Sequence, residues 1–203
     1  MQKMYVAFVF FTLFGAFVQA QENAVTICFD EKCSIKVDGE SNVSPFSCQM
    51  VALPISDQPI PVKSTYNNGK LYMNNVKVKL PVSSFKCANQ AMTSDFQKAL
   101  KEKDFPFVTL YFSHLLLPFS PNTNKSQKNV PAQISFSIAG VQRKYDVVFE
   151  MVEFENEIMK ITGLINLKMS DFKIEPPQAL FGMIKAKDAI GIQFVLQFCM
   201  NKS

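Results

Sequence analysis

Few residues of this chain could do chemistry, and five cysteines stand out among them: Cys28, Cys33, Cys48, Cys87 and Cys199. None falls in a C-x-x-C pair, and the single histidine, His114, leaves no H-x-x-x-H to complete a metal site with them. His114 could pair with a cysteine or serine for nucleophilic chemistry. No G-x-S-x-G elbow accompanies it, however, so it reads as a structural or surface histidine in a strand. Glu153, Glu155 and Glu157 cluster as a solvated hairpin turn does. No glycine-rich phosphate loop is present. The expectation is a protein without catalysis, metal or cofactor, whose cysteines serve disulfide chemistry. Five is odd, so one thiol is left over or pairs between molecules.

Disulfides need an oxidising compartment, and the N-terminus supplies a route to one. Lys3 gives the first residues a positive charge, Tyr5–Phe17 is apolar but too short to span a bilayer, and Val18-Gln19-Ala20 suits signal peptidase. Residues 1–20 read as a signal peptide and residues 21–203 as one exported domain, periplasmic or secreted. No later stretch has the length and apolarity of a membrane-spanning helix. The formal net charge of +4 comes from interspersed acids and bases, too weak a footprint for nucleic acid. Asn42, Asn124 and Asn201 begin formal glycosylation sequons, which bear only on a eukaryotic source.

The elements that must carry these residues are strands. Ile35 and Val37 alternate with Ser34 and Lys36; Phe46, Cys48 and Met50 with Ser47 and Gln49; Val76, Val78, Leu80 and Val82 oppose Lys77 and Lys79. Asn67-Asn68-Gly69 marks a turn. Phe107–Leu117 is a strongly apolar strand, and Pro118–Pro131 reads as a polar surface loop. Ile134, Phe136 and Ile138 resume the alternation, and Gly140–Lys144 reads as a polar connection to Tyr145–Phe154. The turn Glu155-Asn156-Glu157 leads to Ile158–Met169, where Gly163 marks a bulge, bend or close approach. Ile190, Ile192, Phe194, Leu196 and Phe198 close the series. About eight strands with no βαβ rhythm, one face wet and one dry, give an antiparallel barrel or sandwich.

One helix interrupts the strands after the fourth of them. Phe96, Ala99 and Leu100 have the i, i+3, i+4 spacing of one apolar face, Ser94 is the candidate N-cap with Gln97 completing a capping box, and Pro106 forbids continuation. So short a helix must bury that face on something. A barrel mouth, where apolar interior would meet water, is the place for it, and the helix reads as a lid.

Four stretches, in order, resemble the YceI-like lipid- and polyisoprenoid-binding family. They are SNVSPFSC (Ser41–Cys48), FKCANQAMTSDFQKALKEKDFPFVTLYF (Phe85–Phe112), IAGVQR (Ile138–Arg143) and NLKMSDFKIEPP with IGIQFVLQF (Asn166–Pro177 and Ile190–Phe198). The cysteine-containing forms of the first two look like a Bacteroidetes-type subgroup. The resemblance implies an extended, lipocalin-like antiparallel barrel whose tunnel holds a long-chain isoprenoid or fatty-acyl lipid. The residues that would line such a tunnel are Phe46, Phe96, Leu100, Phe112, Phe136, Phe149, Ile165, Phe172 and Phe194. Cys48 and Cys87 end strand-like segments inside the family-like motifs and are expected to be disulfide-bonded. A closed barrel would bring Cys28 and Cys199 together, with Cys33 able to compete for either partner. This sequence departs from the family where an arginine is common before "sdFG": Lys168 and Met169 stand there, and Lys173 replaces the glycine.

Twenty Phe and no Trp supply apolar bulk without a polar group. Each buried CH₂ contributes roughly 0.8 kcal/mol, so a five-carbon unit contributes about 3–4. Micromolar affinity needs about 8 kcal/mol net of association costs, which about three units can supply. The sequence therefore points to an exported lipid carrier or scavenger. The alternative is a structural or interaction barrel filled by its own Phe side chains. Intact-mass analysis of the exported protein should find a chain that starts at Gln21, with residues 1–20 removed.

Overall fold

A computed structural model describes residues 22–29, 32–51, 60–119, 123–179 and 181–202. The signal-peptide expectation falls on residues 1–20, outside the described residues. Twelve strands and one α-helix follow one another as β1 (Glu22–Phe29), β2 (Ser34–Ser41), β3 (Pro45–Val51), β4 (Ile60–Asn67), β5 (Lys70–Pro81), β6 (Lys86–Cys87), α1 (Gln90–Ala99), β7 (Phe107–Leu116), β8 (Lys125–Ile138), β9 (Val141–Glu155), β10 (Ile158–Lys168), β11 (Gln178–Ala179) and β12 (Ile184–Lys202). All pairings are antiparallel.

This is the lipocalin-like barrel expected. The neighbour path runs β1-β4-β5-β7-β8-β9-β10-β12, and β1 also pairs with β12, which returns the walk to its start. β12 makes this possible by its length. One edge pairs with β10 from Ala189 to Cys199; the other serves β2 from Ala186 to Val195 and then β1 from Phe198 to Lys202. β2, β3 and β6 continue from it as a flank that ends at the two-residue β6. The helix thus follows β6, not the fourth strand: β1 carries too little alternation to read, and β6 is two residues long.

Period-2 alternation places the core inside. Met159, Ile161, Ile165 and Leu167 of β10 are buried, as are Phe194, Leu196 and Phe198 of β12. Two strands change phase. Leu71 and Met73 are buried, then Val76, Val78 and Leu80; Phe112 is buried, then Leu115 and Leu117. Register shifts between Tyr72 and Val76 and between Phe112 and His114 mark the bulges that keep both halves facing in. Three tight hairpins use paired positive-φ residues, Asn68-Gly69, Ala139-Gly140 and Asn156-Glu157, as right-handed strand twist favours.

Two connections differ from expectation. The polar stretch after Gly140 is the start of β9, since the turn needs only Ala139-Gly140. The expected loop Pro118–Pro131 is half strand: β8 begins at Lys125, opposite Phe154 of β9. Pairing with β7 starts only at Ala132, so residues 125–131 project with a single neighbour and keep a polar composition. Phe119 is buried edge-on to Phe154 at 6.2 Å, which anchors the loop that remains.

The helix also starts and stops elsewhere. Asn89, not Ser94, is the N-cap: its Oδ1 accepts from Met92 N–H at 2.8 Å, and Ser94 lies inside the helix. The C-terminus is a Schellman turn, with Glu102 N–H donating to Gln97 O and Lys101 N–H to Lys98 O around Lys101 at φ 53°. A lysine at that position hides a stop that glycine would have announced, and Pro106 arrives after the helix has ended.

Cys48 and Cys87 are opposite one another in the β3–β6 ladder and disulfide-bonded. Cys199 is disulfide-bonded as well, and its register partner is Cys28. Cys33 is buried, and its Sγ donates to Gln197 O at 3.2 Å and accepts from Gln197 N–H at 3.1 Å. Replacing Cys48 and Cys87 together by serine should cost about 2–4 kcal/mol of stability, read as a lowered urea midpoint with a steeper slope, since the unlinked denatured chain exposes more surface.

Candidate functional site

The barrel interior contains a cavity of about 90 Å³ whose lining residues are all apolar. Inward-facing positions supply most of the wall: Ile35 and Val37 of β2, Leu80 of β5, Val108, Leu110 and Phe112 of β7, Ile134, Phe136 and Ile138 of β8, and Ile190, Ile192, Phe194 and Leu196 of β12. α1 closes one side with Phe96 and Ala99, and Leu100 follows at its C-cap. Thr93 fixes the helix start: its Oγ1 donates to Asn89 O at 2.9 Å and accepts from Cys87 N–H at 3.0 Å. Phe85, just before β6, meets Phe96 with ring centroids 5.4 Å apart.

Of the nine residues selected from sequence, the structure gathers eight around this cavity: Phe46, Phe96, Leu100, Phe112, Phe136, Ile165, Phe172 and Phe194. Phe149 is outside the lining. It is fully buried and packs edge-on against Phe194 at 5.5 Å. Alternation alone marks Ile35, Val37, Leu80, Ile190 and Ile192 as dry-face residues. Phe85, Ile174 and Pro177 come from segments without periodicity, and no sequence signal pointed to them.

Two phenylalanines owe their places to glycines across the sheet. Gly39 is opposite Phe46, and a Cβ there would come within 2.3 Å of the ring. Gly163 is opposite Phe194, where a Cβ would come within 2.9 Å of Cζ. The glycine in β10 is therefore a close approach, one of the three roles open from sequence.

The floor of the site is a turn held by polar bonds outside it. Met169 and Phe172 enter the lining, and the residue that follows, Lys173, has φ 55° in the left-handed region that favours glycine. Ser170 donates to Asp188 through N–H at 2.8 Å and Oγ at 2.6 Å, bonds that hold the Asp188 carboxyl below its usual range. Tyr145 lies stacked with Phe172 at 6.1 Å and edge-on to Phe136 at 5.8 Å, and its hydroxyl donates to Asp171 Oδ2 at 3.0 Å. Burial, then the Asp171 hydrogen bond and charge, push the Tyr145 phenol up to about 12.

The other chemistry-bearing residues stand apart. His114 is on β7, half-buried, its ring 5.7 Å from that of Tyr72. Glu153 is bonded to Lys160 at 3.2 Å across the β9–β10 hairpin. Among the described residues no three of His, Cys, Asp and Glu gather as a metal site would need. Lys168 is exposed, and among the described residues no cation lines the cavity.

No protein-family model matches this sequence, and no curated protein matches it. Solved structures do. The chain is similar to a polyisoprenoid binding domain from Saccharophagus degradans implicated in plant cell wall breakdown, at TM-score 0.58 and 9% identity, over 88% of this chain and 99% of that one. It is equally similar to Burkholderia cenocepacia BcnA, at TM-score 0.58 and 14% identity, over 84% of this chain and 99% of that one. What they share with it is the fold, the barrel that the YceI-like resemblance implied.

The raised Tyr145 pKa fixes a direction with pH. The protonated phenol is the form favoured by the fold, so its contribution is complete below about 10, the unfolded value, and is lost as pH rises through about 12. A spectrophotometric titration should show one tyrosine ionising late, and Tyr145→Phe should remove that late step.

Proposed function

We propose that this chain is an exported YceI-like lipid-binding protein that carries one long isoprenoid or fatty-acyl chain in the barrel cavity without transforming it. The observation that carries the reading is the lining: among the described residues, seven strands, the helix and the irregular segments beside them contribute no polar side chain to the cavity. The disulfide Cys48–Cys87 fits an oxidising compartment, in keeping with residues 1–20 as a signal peptide. The shared fold with a polyisoprenoid binding domain agrees with this reading.

Volume sets a condition on it. A dry cavity of about 150 Å³ takes one benzene ring, and this one measures about 90 Å³. A long chain therefore enters only by displacing lining side chains. Phe46, Phe96 and Leu100 are half-buried and can move outward, whereas Phe172 and Ile134 are fully enclosed. The same small volume favours a second reading, a barrel permanently filled by its own phenylalanines. Solvent extraction and lipid mass spectrometry of the purified protein separate the two. A stoichiometric long-chain lipid is expected; an extract without lipid, from protein that also fails to take up added prenyl alcohol, would leave the second reading.

The lid has its own test. Phe96→Asp with Leu100→Asp puts two charges where burial without a partner is costly. The barrel should stay folded, since its ladders do not include α1, while lipid affinity falls at least ~10-fold, or ~1.4 kcal/mol, and exchange quickens. Global unfolding would instead make the helix part of the central core, and unchanged binding would place the entrance elsewhere.

A further inference from the structure

Phe46, Phe96 and Pro177 each belong to two walls. On their inner side is the apolar cavity; on their outer side is a wider vestibule of about 290 Å³. Ser41 and Ser44 bound it from the β2–β3 turn, Asn89 and Asp95 from the start and middle of α1, and Gln178 from β11. Only these three shared side chains separate a space without polar side chains from one that has several.

We propose that this vestibule is the head-group site of the lipid, and that it takes an uncharged, hydrogen-bonding head such as a hydroxyl, carbonyl or amide in preference to a phosphate or carboxylate. The inference rests on the lipid-binding reading and names the class of lipid. A polar head cannot remain in the cavity, where a hydroxyl would lose its water and find no partner. The adjoining vestibule offers donors and acceptors in the Ser44 hydroxyl, the Asn89 amide nitrogen and the Gln178 amide.

The charges around it select against an anion. Among the described residues no lysine, arginine or histidine lines either space, and the one charged lining residue is Asp95. Lys98 is paired with Asp95 at 3.7 Å but is mostly exposed and outside the lining, where solvent and salt screen its charge. Lys187 is bonded to Glu40. The N-terminus of α1 carries partial positive charge, but Asn89 already accepts from Met92 N–H, and a full carboxylate stands one turn further on. An anionic head would meet a like charge without a cation to bind it.

Matched lipids isolate the head, because an identical chain contributes identically inside the barrel. Delipidated protein is mixed with geranylgeraniol and geranylgeranyl monophosphate, and the two complexes are counted by native mass spectrometry. The alcohol should be preferred by at least ~10-fold, and Asp95→Lys should raise the affinity for the phosphate about tenfold. Equal or tighter binding of the phosphate by the unaltered protein would overturn the head-group inference and leave lipid binding standing. An alcohol preference that Asp95→Lys does not shift would place the head outside the vestibule and overturn it too. Failure to bind either lipid would overturn both readings.

Discussion

The double use of one edge of β12 is the constraint on which the remaining architecture depends. A strand that pairs with β10 along its length and with β2 and then β1 along the other edge both closes the ring and branches a flank from it. Closure removes free edges and forces one face of every ring strand inward. The flank does something else: through β6 it brings β3 to α1, and Phe46 of one and Phe96 of the other share the cavity wall. The dry cavity and its polar vestibule meet where ring and flank part.

Apolar packing inside such a ring does not by itself make a binding site, since a filled core has the same composition. The distinction lies in which side chains can move. Gly39 and Gly163 leave flat beds on which Phe46 and Phe194 lie across the sheet. Phe46 is half-buried at the flank and has a vestibule on its outer side, whereas Phe194 is buried and backed by Phe149. A ring with open space behind it can yield to an incoming chain at the cost of a rotamer change. A ring with another ring behind it cannot. The wall thus has open space behind it at Phe46 and a second ring behind it at Phe194.

Much of this was legible in the sequence, and the illegible parts have physical reasons. Alternation in β2, β8, β10 and β12 marks the inner face because a half-wet barrel wall has period 2. Alternation tells inside from outside, not cavity wall from the packing behind it, so it places Phe149 and Phe194 alike although only Phe194 is in the lining. The bulges at Tyr72–Val76 and Phe112–His114 hide phase changes that only cross-strand registers reveal. β6 and β11 are too short for any periodicity, and Lys101 and Lys173 adopt left-handed backbone without the glycine that would announce it. Phe85, Ile174 and Pro177 reach the site from irregular segments, where contact depends on tertiary structure alone.

The Cys48–Cys87 bond ties these features together in a way that pairing alone would not. β6 has two residues and its ladder with β3 has two rungs, too few to hold a helix against a barrel mouth. The disulfide makes that junction covalent, and Thr93 bonds the helix start to it through Cys87 N–H. At the other end α1 passes through Lys101 into exposed residues 103–106, where Val82 N–H donates to Pro106 O at 2.9 Å before β7 begins. The two ends of the lid are thus held unequally. Any displacement that preserves the disulfide has its pivot near Asn89 and its largest travel near Leu100. Ala99 and Leu100 would leave the cavity wall first and Phe96 after them, while Phe46 and the vestibule stay with the fixed end. The covalent bond is at the Phe46 end of the cavity wall, and the Leu100 end is held through backbone hydrogen bonds.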